Sequence, residues 1–193
     1  MTIQQMLLAG GPVVYAVWDP LNKTSAVTLS NANLTATISG AVGIVFTTIG
    51  NRAGKKYWEL TATTTGTGTG IFVGVTLNSQ AIAGPSYVLG DGTFDASYNK
   101  TGSKIIAGAS SAFGTAISNG DIVGFAHDYA AGTVNVYLNN VLQGTIRTYS
   151  ANSIINAGVS NDISASTIVV TANFGQSAMT YTPPTGYVAG LYS

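Results

Sequence analysis

From Val13 onward, the sequence is a succession of short runs rich in valine, isoleucine, threonine and tyrosine, interrupted by glycine and asparagine. Runs of this composition, bounded by turn-forming residues, predict β-strands. Helical periodicity is confined to IQQMLL (3–8), which runs into Gly10, Gly11 and Pro12 and ends there. The clearest predicted strands are LTATIS (34–39), KYWELTATT (56–64), GIFVGVTL (70–77), DIVGFAHD (121–128), TVNVYLN (133–139), INAGVSN (155–161) and TIVVTANF (167–174). Many short strands without helices indicate an all-β sandwich or barrel, and the lack of a fixed-period repeat argues against a propeller or solenoid.

The composition excludes several classes of partner. The 193 residues fit one domain and include no cysteine, so the chain can form neither disulfides nor thiolate zinc sites. Only 7% of residues are charged and the net charge is zero, without a basic stripe for nucleic acid or an anionic membrane. No apolar run approaches the roughly 20 residues of a membrane span. A surface so poor in charge is typical of a protein built into an assembly or exposed outside cells.

The first residues are predicted to form a separate segment. Residues 1–12 contain an apolar patch outside the predicted domain, which occupies residues 13–193. Such a patch in water favours association, so we expect this arm to dock into a neighbouring subunit or another protein; the alternative is a frayed tail. The arm lacks the basic n-region of a signal peptide, and we do not expect export by the general secretory route. The candidate docking residues are Ile3, Met6, Leu7 and Leu8.

One stretch, GDIVGFAHDYAAGTVNVYLNNVLQG (120–144), contains the single histidine beside an acid, which invites a catalytic interpretation. The same letters predict two strands joined by the turn YAAG, followed by a second turn at Asn139 and Asn140. Adjacent side chains on a strand point to opposite faces, so His127 and Asp128 are not expected to act together. We expect His127 to be a half-buried or rim residue. Val134, Val136 and Leu138 are the predicted core face.

The seven acids do not form an evident catalytic pair. Glycoside hydrolysis needs two acids about 5–9.5 Å apart, whereas Asp121 and Asp128 lie at opposite ends of one predicted strand. In KYWEL, Trp58 and Leu60 are the predicted core face, which leaves Glu59 exposed or paired with a lysine. Asp91 and Asp95 are the one close pair with freedom to converge. The run DGTFD that contains them lacks the spacing of a calcium loop, and no metal or cofactor is expected.

Two segments are predicted to lie outside the regular strands. TATTTGTGTG (61–70) is interpreted as a strand end, a glycine-rich turn and the start of the next strand. Residues 78–119 alternate weakly and predict long loops around one or two short strands. Loops on a rigid sheet often carry binding residues, and exposed aromatic side chains there can stack on sugars or anchor a partner; an equally tenable reading is that they plug the loops onto the sheet. The binding candidates are Tyr87, Asp91, Phe94, Tyr98 and Asn99.

The order of four motifs resembles that of the SPRY domain, a concanavalin-like β-sandwich. These are GKKYWELT (54–61), GIFVGV (70–75), the 120–144 stretch, and ANFGQSAMTYTPPTGY (172–187). The subset that they match best occurs in bacteriophage virion proteins, and the resemblance extends from Trp18 to Tyr187. The opening MTIQQMLLAGG also looks like a leader of some tail-associated phage proteins. Two departures stand out: the position of His127 is apolar in many phage copies, and residues 78–119 retain only a Tyr-Asn-Lys-x-Gly step.

The resemblance implies an antiparallel SPRY-type sandwich or jelly roll preceded by a short arm, and a binding module rather than an enzyme. We therefore expect a virion protein of the tail tip or a fibre, assembled in the host cytoplasm, that binds the host surface or a glycan through its loops. An alternative is a purely structural subunit, such as a capsid decoration or a head or tail scaffold, that contacts only other virion proteins. A carbohydrate-active enzyme is a weaker alternative. Virion subunits are usually symmetric, so a homo-oligomer is expected.

Overall fold

Two antiparallel sheets form the molecule in a computed structural model that describes residues 13–77, 82, 84, 86–162 and 166–192. The docking arm predicted over residues 1–12 lies outside these residues. The strands are β1 Trp18–Lys23, β2 Val27–Ser30, β3 Thr35–Ile38, β4 Ile44–Thr47, β5 Lys55–Thr64, β6 Ile71–Leu77, β7 Asp95–Asn99, β8 Ser103–Ile106, β9 Ala109–Ala112, β10 Ile122–Asp128, β11 Thr133–Leu138, β12 Val141–Thr148, β13 Ile155–Asn161, β14 Ile168–Asn173 and β15 Val188–Ala189. The described chain contains no helix long and apolar enough to cross a membrane.

The two sheets differ in strand order. The first sheet runs β1-β4-β13-β6-β7-β8-β9 and the second runs β12-β11-β10-β5-β14-β3-β2, with β15 added parallel to β5. Neighbouring strands along both orders are antiparallel, which gives the all-β sandwich that the sequence predicts. All seven strands listed above are confirmed within a residue or two. The 61–70 segment is also confirmed, since β5 ends at Thr64 and β6 begins at Ile71.

The main core lies between the sheets and is built from the alternate residues that the pattern predicts. Trp58 of β5 stacks on Phe125 of β10, its register partner, with ring centroids 5.7 Å apart. Val134, Val136 and Leu138 are buried in the same cluster, whereas the residues between them are partly exposed. The turn at Asn139 and Asn140 has positive φ at both residues, the geometry that suits a two-residue hairpin loop. The hairpin predicted for residues 120–144 is therefore confirmed in its strands, its core face and its turn.

A second, smaller core covers the outer face of the first sheet. Residues of β4, β6 and β8 pack there against Leu89, which belongs to the segment between β6 and β7. The cluster comprises Ile44, Phe46, Phe72, Leu89 and Ile105. The prediction of loops around one or two strands over 78–119 is incomplete, because β7, β8 and β9 all fall in this range. The outer residues of β7 are polar and still buried, and this conceals the alternation.

The C-terminal segment covers the outer face of the second sheet and buries Glu59. The prediction that Glu59 is exposed or paired with a lysine is therefore wrong. This residue is 2% exposed and is not paired with a lysine. Its carboxylate accepts hydrogen bonds from the Tyr57 hydroxyl at 3.2 Å and from the backbone N–H groups of Thr180 and Tyr181 at 2.8 and 2.9 Å. A carboxylate with three donors is well satisfied without water. Glu59 therefore fastens the C-terminal segment to β5.

Candidate functional site: the 86–94 loop

The 86–94 loop, the part of the chain directly before β7, crosses the outer face of the first sheet and is fixed there by packing and hydrogen bonds. Leu89 is fully buried in the second core, and its N–H donates to the Ser160 hydroxyl at 2.9 Å. The N–H of Gly108 donates to the carbonyl of Gly90 at 2.9 Å. These contacts attach the middle of the loop to β13 and to the turn after β8. The loop is consequently held as part of the sandwich surface.

The end of the loop is fastened to the other sheet by two side chains. Arg147 of β12 donates from Nη2 to the carbonyl of Thr93 at 2.7 Å and from Nη1 to that of Asp95 at 2.6 Å. The Tyr149 hydroxyl donates to the carbonyl of Phe94 at 2.9 Å. The Arg147 guanidinium lies 4.8 Å from the Tyr149 ring centroid, a cation–π geometry that orients both donors. Three successive carbonyls are thus bound, and we call residues 93–95 the clamped segment.

Phe94 lies at the centre of the clamped segment with its side chain directed outward. It is 44% exposed although its carbonyl and both neighbouring carbonyls are hydrogen-bonded. An aromatic side chain on a fixed backbone loses little conformational entropy when it binds, which is why such residues dominate binding energies in interfaces. Arg147 and Tyr149 were not among the residues predicted from sequence. They lie on another sheet, far away in the chain, and no local pattern links them to Phe94.

The remaining loop candidates lie in contrasting environments. The Tyr87 hydroxyl donates to Oδ2 of Asp95, and burial together with this bond raises the pKa of Tyr87, which stays a donor at ordinary pH. Asp95 is fully buried on β7, and its Oδ1 has no hydrogen-bond partner among the described residues. Asp91 is exposed. The prediction that Asp91 and Asp95 share a free loop is therefore wrong, since Asp95 is a strand residue held by Tyr87.

Tyr98 and Asn99 are not loop residues, which corrects the prediction of their position. Both belong to β7 and are buried. Tyr98 points into the main core, packs edge-on against Phe113 and donates its hydroxyl to the carbonyl of Thr115; burial raises the pKa of Tyr98 to about 12. The Asn99 side-chain oxygen accepts from the N–H groups of Thr101 and Ser103 at 3.1 and 3.0 Å, which shapes the turn into β8.

His127 and Asp128 are on opposite faces of β10, as predicted, but His127 is more buried than expected. It is 0% exposed, on the same face as the core residue Phe125, so the prediction of a half-buried or rim position is wrong. Its Nδ1 lies 3.0 Å from Nδ2 of Asn51, and its Nε2 has no partner among the described residues. Asp128 faces outward and forms an ion pair with Lys55 at 2.9 Å. No catalytic pair exists here.

The other acids are also engaged in structural hydrogen bonds. Asp121 accepts from the Ser118 N–H and from Asn139 Nδ2, both at 2.7 Å. Asp19 accepts from the Leu21 N–H, and Asp162 accepts from the Thr69 hydroxyl. Of the seven acids, only Asp91 accepts no hydrogen bond within the described residues. The same residues include no cluster of three or more histidine and acidic side chains that could hold a metal ion.

The fold is that of SPRY domains. The SPRY domain of human HERC1 superposes with a TM-score of 0.66 at 16% identity, covering 83% of this chain and 99% of that one. A human SPRY domain gives 0.63 at 16% identity, covering 81% and 99%. A stonustoxin structure gives 0.61 at 19% identity over 83% of this chain, which spans only 27% of the stonustoxin chain. No protein-family model and no curated protein sequence matches the chain. The fold is thus that of a SPRY-like β-sandwich.

Proposed function

We propose that this chain is a non-enzymatic component of a bacteriophage virion, in the tail tip or a fibre, that binds the host surface through the face around Phe94. The order of the four motifs, with the hairpin and the ANFGQSAMTYTPPTGY ending, supports the virion assignment. The SPRY-like sandwich, whose neighbours include isolated SPRY domains, is compatible with binding.

The observation that carries the binding proposal is the exposure of Phe94 on a backbone whose carbonyls are all engaged. A surface aromatic that served only to plug the loop onto the sheet would be covered, and Leu89 already has that role. The neighbouring carbonyls face Arg147 and Tyr149, so the side chain is the part of this segment that is free to contact a partner. The partner would be a host protein or glycan with a surface that accepts an aromatic ring.

The engagement of the acids supports a non-catalytic role. General acid–base hydrolysis needs two carboxyl groups that face one accessible groove. Here six of the seven carboxylates accept hydrogen bonds from the protein itself, and the acid next to the exposed Asp91 in the sequence is Asp95, which is buried on β7. A host-binding role needs none of these groups.

The test uses the fluorescently labelled full chain and a panel of bacterial cells. Wild-type protein should label a subset of strains, and Phe94→Ser should reduce that labelling at least about tenfold, because a central aromatic contact contributes roughly 2 kcal/mol or more. Leu21→Ser is the matched control, since Leu21 is 95% exposed in β1, an edge strand that β4, β13 and β6 separate from β7. It removes a similar apolar side chain and should leave labelling unchanged.

Two results would contradict the proposal. Labelling of no strain, together with binding to particles stripped of this protein, would favour the purely structural subunit. Equal labelling by wild-type and Phe94→Ser protein would show that host binding uses another face. Electron microscopy of intact particles would then locate the subunit and give its oligomeric state.

A further inference from the structure

A polar cleft lies at the end of the sandwich opposite Phe94. It is shallow and largely open to solvent, with a volume of about 690 Å³, and lies between the β5–β6 turn, the residues after β7, the segment before β10 and the residues before β14. That volume lies within the range of small-molecule sites, about 300–1,000 Å³. Most of its lining side chains carry hydroxyl groups, and Ile117 is the main apolar one. The lining is Thr64, Thr65, Gly66, Thr67, Lys100, Ile117, Ser118, Asn119, Ser166 and Thr167.

The walls of the cleft are fixed by hydrogen bonds between them. Asn119 Oδ1 accepts from the N–H and the hydroxyl of Thr65, both at 2.9 Å. The Ser166 hydroxyl accepts from the Thr67 N–H at 2.8 Å. Gly66 has a φ of +75°, and a Cβ there would lie 2.2 Å from the Ser166 hydroxyl. The turn therefore needs glycine at this position to reach its partners, and the cleft is formed before any ligand arrives.

Several hydrogen-bonding groups in the cleft are left unused by the protein. The hydroxyls of Thr64, Thr67, Ser118 and Thr167 make no hydrogen bond within the described part of the chain. A hydroxyl can both donate and accept, and four of them around one space match a ligand that is itself rich in hydroxyls. The lining contains no aromatic ring, so a ligand here would be held by hydrogen bonds and charge and not by stacking.

Lys100 supplies the one positive charge in the cleft. Its stem passes over Gly70, and its ammonium donates to the carbonyl of Gly66, which uses one of three donors. No acid is paired with it; the ion pair found among the described residues is Lys55–Asp128. Asp121, the acid beside Ser118, has both oxygens occupied. A single uncompensated ammonium suits a monoanionic group such as a carboxylate.

We propose that this cleft is a second binding site, for a saccharide that bears a carboxylate. Lys100 holds the carboxylate, and the hydroxyls of Thr64, Thr67, Ser118 and Thr167 bind the ring hydroxyls. The site does not depend on the host-binding role of Phe94, because the two lie at opposite ends of the sandwich. Phe94→Ser is therefore expected to retain saccharide binding, so a failure of one proposal is distinguishable from a failure of the other.

The test compares cellobiouronic acid with cellobiose, which carries a hydroxymethyl group in place of the carboxylate. Titration of the full chain followed by amide chemical shifts should show tenfold tighter binding of the acid, a difference of about 1.4 kcal/mol. The shifts should centre on Gly66, Thr67, Ser118 and Thr167. Lys100→Met should abolish the preference for the acid. Lys104→Met is the matched control, since Lys104 lies on β8 over the Phe113 ring, and it should retain the preference.

A second variant keeps the test decisive if Lys100→Met disturbs the turn. Thr167→Val removes one free hydroxyl, preserves side-chain shape and should weaken both sugars severalfold at unchanged thermal stability. Equal affinity for the two disaccharides would overturn the assignment of a carboxylate to Lys100. Absence of saturable binding at millimolar concentrations, or shifts centred elsewhere, would overturn the saccharide site itself.

Discussion

Acidification should destabilise this protein through one residue, His127. Burial lowers the pKa of His127 to about 4, from 6.5 in an unfolded chain, because the charged imidazolium would lose its hydration. Asn51 adds to this effect. Its Oδ1 accepts from the Ala53 N–H and its Nδ2 donates to the Gly54 carbonyl, which fixes Nδ2 as the atom that donates to His127 Nδ1. A proton on Nδ1 would face this donor.

The sign and size of the effect follow from proton linkage. The folded pKa lies below the unfolded one, so the unfolded chain binds more protons between them, and stability falls as the pH drops below about 6.5. With those two pKa values, the free energy of unfolding falls by about 1 kcal/mol between pH 7 and pH 5.5, and by about 2.5 kcal/mol at pH 4.5. Such a loss is a large part of the 5–15 kcal/mol typical of a domain.

Asp128, the neighbour of His127, titrates below this window. The ion pair with Lys55 keeps the pKa of Asp128 below its usual 3.8, so the stability that it contributes is lost only as the pH falls through that lower value. Urea unfolding followed by fluorescence of Trp18 and Trp58 at a series of pH values measures the slope. The control is His127→Gln, which retains an acceptor for Asn51 and should show little pH dependence between pH 7 and pH 5.

The reasoning has a direct spectroscopic check, because the chain contains one histidine and its ring signals need no assignment. In the folded protein the ring resonances should stay those of a neutral imidazole down to about pH 5. A titration midpoint near 6.5 would refute the burial argument. An equal loss of stability on acidification in His127→Gln would show that other groups are responsible.

Two further changes test the attachments that shape the surfaces. Arg147→Ala should leave the carbonyls of Thr93 and Asp95 without their donors, so hydrogen exchange should rise in residues 93–95 and host-cell labelling should fall. Arg147→Lys should restore only part of both. Unchanged exchange would contradict the role of Arg147 in holding the clamped segment. Glu59→Ala should leave the N–H groups of Thr180 and Tyr181 unsatisfied and lower the free energy of unfolding by about 3 kcal/mol in urea titrations. A loss below roughly 1 kcal/mol would mean that the C-terminal segment is held mainly by other contacts.

The period of two is clearest in β11, which has one face in the core and the other near solvent. In β11, buried and partly exposed residues alternate along the whole strand, so the period of two is visible in the letters. β7 has the same geometry but a different pattern. Its outer residues Asp95 and Ser97 are polar although buried, because the 86–94 loop covers them. No local pattern predicts a cover supplied by another segment.

Three other strands, β12, β4 and β9, were not predicted, each for a different reason. β12 pairs with β11 through two shifts of register, one of them at Gly144, and its side chains therefore do not keep to fixed faces. β4 is buried on both sides over four residues, IVFT, which is too short a run to be distinguished from other buried segments. β9 is exposed throughout and has no core face to reveal it.

Local sequence pattern also fails to distinguish exposed candidate site residues from buried ones. Aromatic letters in a weakly alternating segment selected Phe94, whose side chain is exposed, and equally Tyr98, whose ring is in the core. What separates them is the sheet partner: Tyr98 is opposite Val73 and Lys104 in β-pairs, whereas Phe94 precedes the first pair of β7. The polar cleft left no chemical signal, because threonine, serine and glycine at a turn are what any turn contains. Only the hydrogen bonds that hold Thr65 to Asn119 and Thr67 to Ser166 show that these common residues form the fixed walls of a cleft.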